Sequence, residues 1–112
     1  MFKIYLLERI MTDEADYTKA VKVIGGHKSQ ITRAIGTLQK VVTDQSVLPA
    51  DLNKVKAAKR MVENQVAKIE AQIDDLLGNE HFPQTELDSL TDYILQQGDV
   101  LEAVATLLEL IS

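Results

Sequence analysis

The chain has 112 residues, 46% of them apolar, and sets 12 Lys or Arg against 17 Asp or Glu for a formal charge of −5. That length suits a single domain, and the absence of cysteine excludes a disulfide framework and thiolate metal or redox sites. With five Gly and two Pro, the chain is neither collagen-like nor a Pro/Gly-rich disordered segment.

Met1-Phe2-Lys3-Ile4-Tyr5-Leu6-Leu7 starts like a signal peptide, but Glu8 and Arg9 break the apolar run and no small-residue cleavage site follows. The run is also far shorter than the ~20 apolar residues of a membrane span. The expectation is an intracellular, cytoplasmic protein with no membrane partner. Residues 1–12 read as an extension to the helical domain.

Thr12 is placed to cap a first helix over 13–43, with Asp13, Glu14 and Asp16 at the positive end of its dipole. From Tyr17, alternating steps of four and three select Val21, Ile24, Lys28, Ile31, Ile35, Leu38 and Val42, a heptad seam holding one lysine. Gly25-Gly26 falls inside this helix. The seam keeps its phase across the pair, so the spacing predicts a continuous helix that is locally soft, each Gly costing ~1 kcal/mol relative to Ala.

A polar turn from Asp44 to Pro49 leads into a second helix over 49–77, with Pro49 in its first turn and Gly78 placed to end it. Its seam is Leu52, Val55, Lys59, Val62, Val66, Ile69, Ile73 and Leu76. So short a turn makes the two helices antiparallel neighbours. Folding there sets a register, with Leu38 level with Val55, Ile31 with Val62, Lys28 with Val66 and Ile24 with Ile69. Lys28 and Lys59 then occupy separate layers; the favoured reading is that each snorkels its amine out past the seam, the other that they fix register as polar seam residues.

Pro83 precedes a third helix over 85–111, with Thr85 and Asp88 as a capping pair. Its seam runs Leu87, Leu90, Ile94, Gln97, Leu101, Val104, Leu108 and Ile111, and Gln97 is the third register-setting residue. Tyr93, Val100 and Leu107 widen the stripe to three positions per heptad, the width of a helix with two neighbours. Such a helix either closes over its own hairpin or joins a second copy. In the second case Tyr93, Ile94, Val100, Leu101, Val104, Leu107, Leu108 and Ile111 form a self-association surface. The expected fold is all-α, a long antiparallel, coiled-coil-like hairpin plus a third C-terminal helix in one domain.

Charge is segregated along the chain. Residues 19–68 hold ten bases and three acids, whereas residues 69–112 hold ten acids and no base. Lys22, Arg33, Lys40, Lys56 and Arg60 are the candidate contacts for phosphate or an acidic partner. The acidic third helix, from the same chain or a neighbour, is one such partner. Without interleaved aromatics, nucleic acid is the alternative partner rather than the favoured one.

Recognisable reaction chemistry is missing. Gly25-Gly26-His27-Lys28-Ser29 fails the phosphate-loop pattern, because His27 stands where a Gly must precede the Lys and Lys22 where the first Gly belongs. His27 and His81 are the only histidines, not at metal-ligand spacing, and no Gly-x-Ser-x-Gly elbow occurs. Asp74, Asp75, Glu80 and His81 read as a solvated helix terminus. The expectation is a non-enzyme with no cofactor and no metal.

Gly26-His27-Lys28-Ser29-Gln30-Ile31-Thr32-Arg33 running into an apolar helix, then Val41-Val42-Thr43-Asp44 and the turn, then Leu52 to Leu77 rich in Lys, Glu and Gln, together resemble a known pattern. The segment, residues 17–78, is similar to the N-terminal helical region of Gag in Bel/Pao-type LTR retrotransposons. The resemblance implies a structural, self-associating role in particle assembly, or a host protein domesticated from one. Zinc-knuckle cysteines and a protease segment are absent from the chain. Three readings follow: a helical self-assembly or adaptor module acting on itself or another protein, a nucleic-acid-binding module using the basic hairpin face, and a small inhibitor or antidote protein with one protein partner.

Overall fold

The computed structural model describes the backbone of residues 2–111 and the side chains of residues 14–110. Among the described residues the chain is all-α, without strands. The elements are α1 (Phe2–Asp44), a short 3-10 turn (Pro49–Asp51), α2 (Leu52–Leu76) and α3 (Gln84–Ile111). Together they make a rod of 66 × 20 × 18 Å. Its long dimension matches the length of α1, 43 residues at about 1.5 Å each.

The helix ends differ from the expected caps. α1 begins at Phe2, so residues 2–12 continue the helix and Thr12 lies within it; the side chains of Thr12 and Asp13 fall outside the described residues. The helix passes unbroken through Gly25-Gly26. It ends where Gln45 takes a left-handed φ of 51°, the conformation that turns a chain away from a helix. Pro49 then opens the 3-10 turn, in which the Asp51 N–H donates to the Leu48 carbonyl at 2.9 Å.

Gly78 does not stop α2 through a left-handed conformation, since no glycine among the described residues has a positive φ. Instead the last turn tightens. The Leu77 N–H reaches the Asp74 carbonyl at 3.4 Å, and the Asn79 N–H reaches that of Leu76 at 2.9 Å. At the start of α3 the Pro83 carbonyl accepts from both Glu86 and Leu87 at 3.1 Å, so Thr85 is already inside the helix rather than capping it. Asp88 Oδ1 accepts from Gln84 Nε2 at 3.0 Å, one turn back.

Packing of α2 follows its heptads: Val55, Val62, Val66, Ile69, Ile73 and Leu76 are buried, with Leu52 and Lys59 half-buried. α1 departs from its expected seam at alternate layers. Ile24, Ile31 and Leu38 are buried as the spacing predicts; Ala20, Ala34 and Val41 are buried beside them, while Ile35 and Val42 are half-buried against the core and Val21 is exposed. Ala20 is 6% exposed and Val21 39%. The cause is that α1 has two neighbours. Steps of three then four, and of four then three, share half their positions, so a helix touching both α2 and α3 presents both phases.

α3 folds back along the hairpin, antiparallel to α2 and parallel to α1. The Tyr17 hydroxyl donates to Glu86, the Tyr17 ring tilts against Phe82 at 6.5 Å between centroids, and Lys28 Nζ lies 4.8 Å from the centre of the Tyr93 ring. Residue numbers thus rise together on the two helices. Between them and α2 lies one continuous core, with Leu38, Val62, Ile69 and Val104 fully enclosed.

Candidate interaction site

The wide stripe of α3 is used within the chain. Val104 is 0% exposed, and Tyr93, Ile94, Val100, Leu101, Leu107 and Leu108 are half-buried against the hairpin core. Of the two arrangements open to this helix, the structure has closure over its own hairpin. Residues 77–83 are enough to reverse the chain, and three apolar positions per heptad fill the groove between two helices. The Ile111 side chain lies outside the described residues. An intermolecular surface made of the whole stripe is therefore not what this arrangement leaves exposed; what remains is its margin and the outward face.

The three seam residues expected to set register have separate fates. Lys28 turns to α3 and covers the Tyr93 ring, a cation–π contact. Lys59 pairs with Glu63 one turn along its own helix. Gln97 is half-buried, with its Oε1 enclosed and lacking a hydrogen-bond partner. A polar contact between α1 and α2 is made by His27 and Gln65, with Nδ1 and Oε1 2.6 Å apart. These two residues lie within one position of the Lys28–Val66 layer. The signal for His27 was present in the alternative phase, where Tyr17, Ala20, Ile24, His27, Ile31, Ala34, Leu38 and Val41 follow heptad steps.

Two tyrosines are electrostatically marked. The Tyr17 phenol is held above its ordinary value of 10.0 by its hydrogen bond to Glu86, then by burial, then by the Glu86 charge. Burial alone raises Tyr93. In both cases the neutral phenol is favoured.

All five candidate basic residues are exposed, on two different helices. At 100° per residue, Lys22, Arg33 and Lys40 fall within about 20° of one another on α1. Lys56 and Arg60 stand on the outward side of α2. In a three-helix rod those outward sides diverge, so the five are not gathered into one patch. Among the described residues the ion pair formed is Lys59–Glu63, and none joins Lys22, Arg33 or Lys40 to an acid.

Facing outward on α3 are Asp88, Asp92, Asp99 and Glu102, all exposed, with Leu95 standing 61% exposed among them. Leu95 was not singled out by periodicity, because it belongs to neither the seam nor its widened edge. Among the described residues no helix is long and apolar enough to cross a membrane. No protein-family model matches the chain, and neither a curated protein nor a solved structure is significantly similar to it.

Proposed function

We propose that this chain is a non-enzymatic self-assembly module, a rod-shaped bundle that associates with copies of itself and uses α3 as its working surface. The observation that carries this reading is the shallow seating of α3. Leu90 and Val104 are buried, but Leu87, Ile94, Leu101 and Leu108 are half-buried, and Leu95 and Leu110 point outward at 61% and 79% exposure. A second chain laid along α3 removes that apolar surface from water, and each leucine fully covered contributes about 1.5–3 kcal/mol. The resemblance of residues 17–78 to the helical region of Bel/Pao-type Gag supports the same class of role.

Light scattering behind size exclusion, across protein concentration, tests it. The expected result is a mass that climbs above 12.5 kDa as concentration rises. A constant 12.5 kDa species at every concentration overturns it. A second reading, nucleic-acid binding, draws on the exposed line of Lys22, Arg33 and Lys40. It requires an affinity that falls steeply with salt.

A further inference from the structure

The outward faces of α1 and α3 are complements of each other in charge, spacing and shape. On α1, Lys22 and Arg33 are eleven residues apart, and Gly25, Gly26 and Ser29 lie between them within about 60° of the same line. Nothing comes within 4 Å of a Cβ built at Gly25 or Gly26. Packing inside the chain therefore gives no reason for two exposed mid-helix glycines, each of which costs ~1 kcal/mol relative to Ala. On α3, Asp88 and Asp99 are also eleven residues apart, with exposed Leu95 between them and Asp92 and Glu102 alongside.

We propose that the acidic outward face of α3 of one copy docks on the basic, glycine-lined outward face of α1 of the next, so that rods stack side by side. This rests on the self-association reading and names its surfaces. Equal spacing lets Lys22 and Arg33 meet Asp88 and Asp99 at the same time, whichever way the helices run. With the helices antiparallel Leu95 lands level with Gly26, and with them parallel level with Ser29. Lys22, Gly25, Gly26 and Ser29 stand at i, i+3, i+4 and i+7, the four corners of a hole that receives one knob. Within a chain these faces do not meet, because α1 and α3 touch through Tyr17–Glu86 and Lys28–Tyr93 instead.

Exposed charge pairs align and select partners more than they stabilise, so the buried Leu95 carries much of the affinity. A second copy is favoured over nucleic acid because one contact uses both faces, whereas a polyanion occupies α1 and repels α3. The two surfaces differ, so the contact is heterologous and each added copy leaves one face of each kind open.

Sedimentation velocity on a charge-swapped pair tests the proposal. The first variant carries Lys22→Glu, Arg33→Glu and Lys40→Glu; the second carries Asp88→Lys, Asp92→Lys and Asp99→Lys. Every site is exposed, and helicity by circular dichroism checks that each variant folds. At low salt the wild type should form assemblies that shrink as salt rises, and each variant alone should sediment as a monomer. Mixed in equal amounts they should assemble again, since both contacts then have opposite charges. Leu95→Ala, which leaves the charges alone, should weaken association roughly tenfold. Wild-type behaviour of either swapped variant alone overturns the proposal, as does a mixture that stays monomeric while the wild type assembles. So does an RNA oligonucleotide that binds monomeric protein through Lys22, Arg33 and Lys40 with no protein–protein contact. A wild type that is monomeric at all concentrations and salts overturns the self-association reading itself.

Discussion

His27 Nδ1 and Gln65 Oε1 lie 2.6 Å apart across the interface of α1 and α2, both side chains half-buried. With the proton on Nδ1 the imidazole donates to the amide carbonyl. A slip of either helix by one residue breaks this bond, so the pair acts as a register key in the sense that polar coiled-coil seam residues do. His27→Ala and Gln65→Ala should each cost about 1 kcal/mol and leave a half-buried partner unpaired. In a double-mutant cycle by urea denaturation the two should be coupled by about 0.5–1.5 kcal/mol. Strictly additive losses would mean that the pair does not key the register.

The antiparallel hairpin was legible because the turn is short and the α2 heptads are large, branched and uninterrupted except at Lys59. The seam of α1 was only half legible. Val21, Ile35 and Val42 outrank Ala20 and Ala34 in apolar volume, and periodicity weighted by size follows volume; proximity to α2 instead favours the small residues that let helices approach. The start of α1 was missed for a related reason. Thr12-Asp13-Glu14 has the chemistry of a cap, but a helix already under way passes through it at little cost. Neither periodicity nor charge marked Leu95, since the importance of an exposed leucine depends on which outward face surrounds it.

Gln45 holds a φ of 51° at the end of α1, a left-handed conformation that costs a side chain with a Cβ roughly 1–2 kcal/mol. Gln45→Gly removes that cost but gives the unfolded chain more freedom. The net should be a gain of several tenths of a kcal/mol, rising to about 1. Thermal or chemical denaturation reads it, and Gln45→Val, β-branched at the same angle, should move stability the opposite way.

Tyr17 and Tyr93 both have phenols raised above 10.0 in the folded chain. Folding thus favours the neutral forms, and the stability linked to them is present in full below the unfolded value near 10 and is lost as pH rises through the folded values. Denaturation midpoints should therefore fall on the alkaline side of pH 10, and Tyr17→Phe should remove the Tyr17 part of that fall. Glu86→Gln takes away the charge facing the Tyr17 phenolate. In a phenolate absorbance titration it should bring Tyr17 down while Tyr93 keeps its position. An unchanged Tyr17 titration would mean that Glu86 does not hold the phenol.

Gln97 Oε1 is buried where α3 meets the hairpin and has no hydrogen-bond partner. An unpaired buried amide costs about 1–3 kcal/mol, and leucine fits the heptad pattern at this position. Gln97→Leu should raise the urea midpoint by an amount equivalent to at least about 1 kcal/mol. Were Gln97 instead a register key like His27, the same change would flatten the transition, because shifted packings of α3 would become accessible.

Gly25 and Gly26 give the sharpest separation between stability and association, because the two effects have opposite signs. No atom stands within 4 Å of an added Cβ at either site, and both lie in regular helix. Gly25→Ala and Gly26→Ala should therefore each stabilise the monomer by up to about 1 kcal/mol in thermal denaturation. In the side-by-side contact the same methyl groups occupy the hole that receives Leu95, so the more stable proteins should assemble less well in sedimentation. Glycines that merely soften the middle of α1 predict a different pair of results, higher stability with unaltered assembly. A stabilised variant that assembles less is the outcome that ties the glycines to a partner outside the chain.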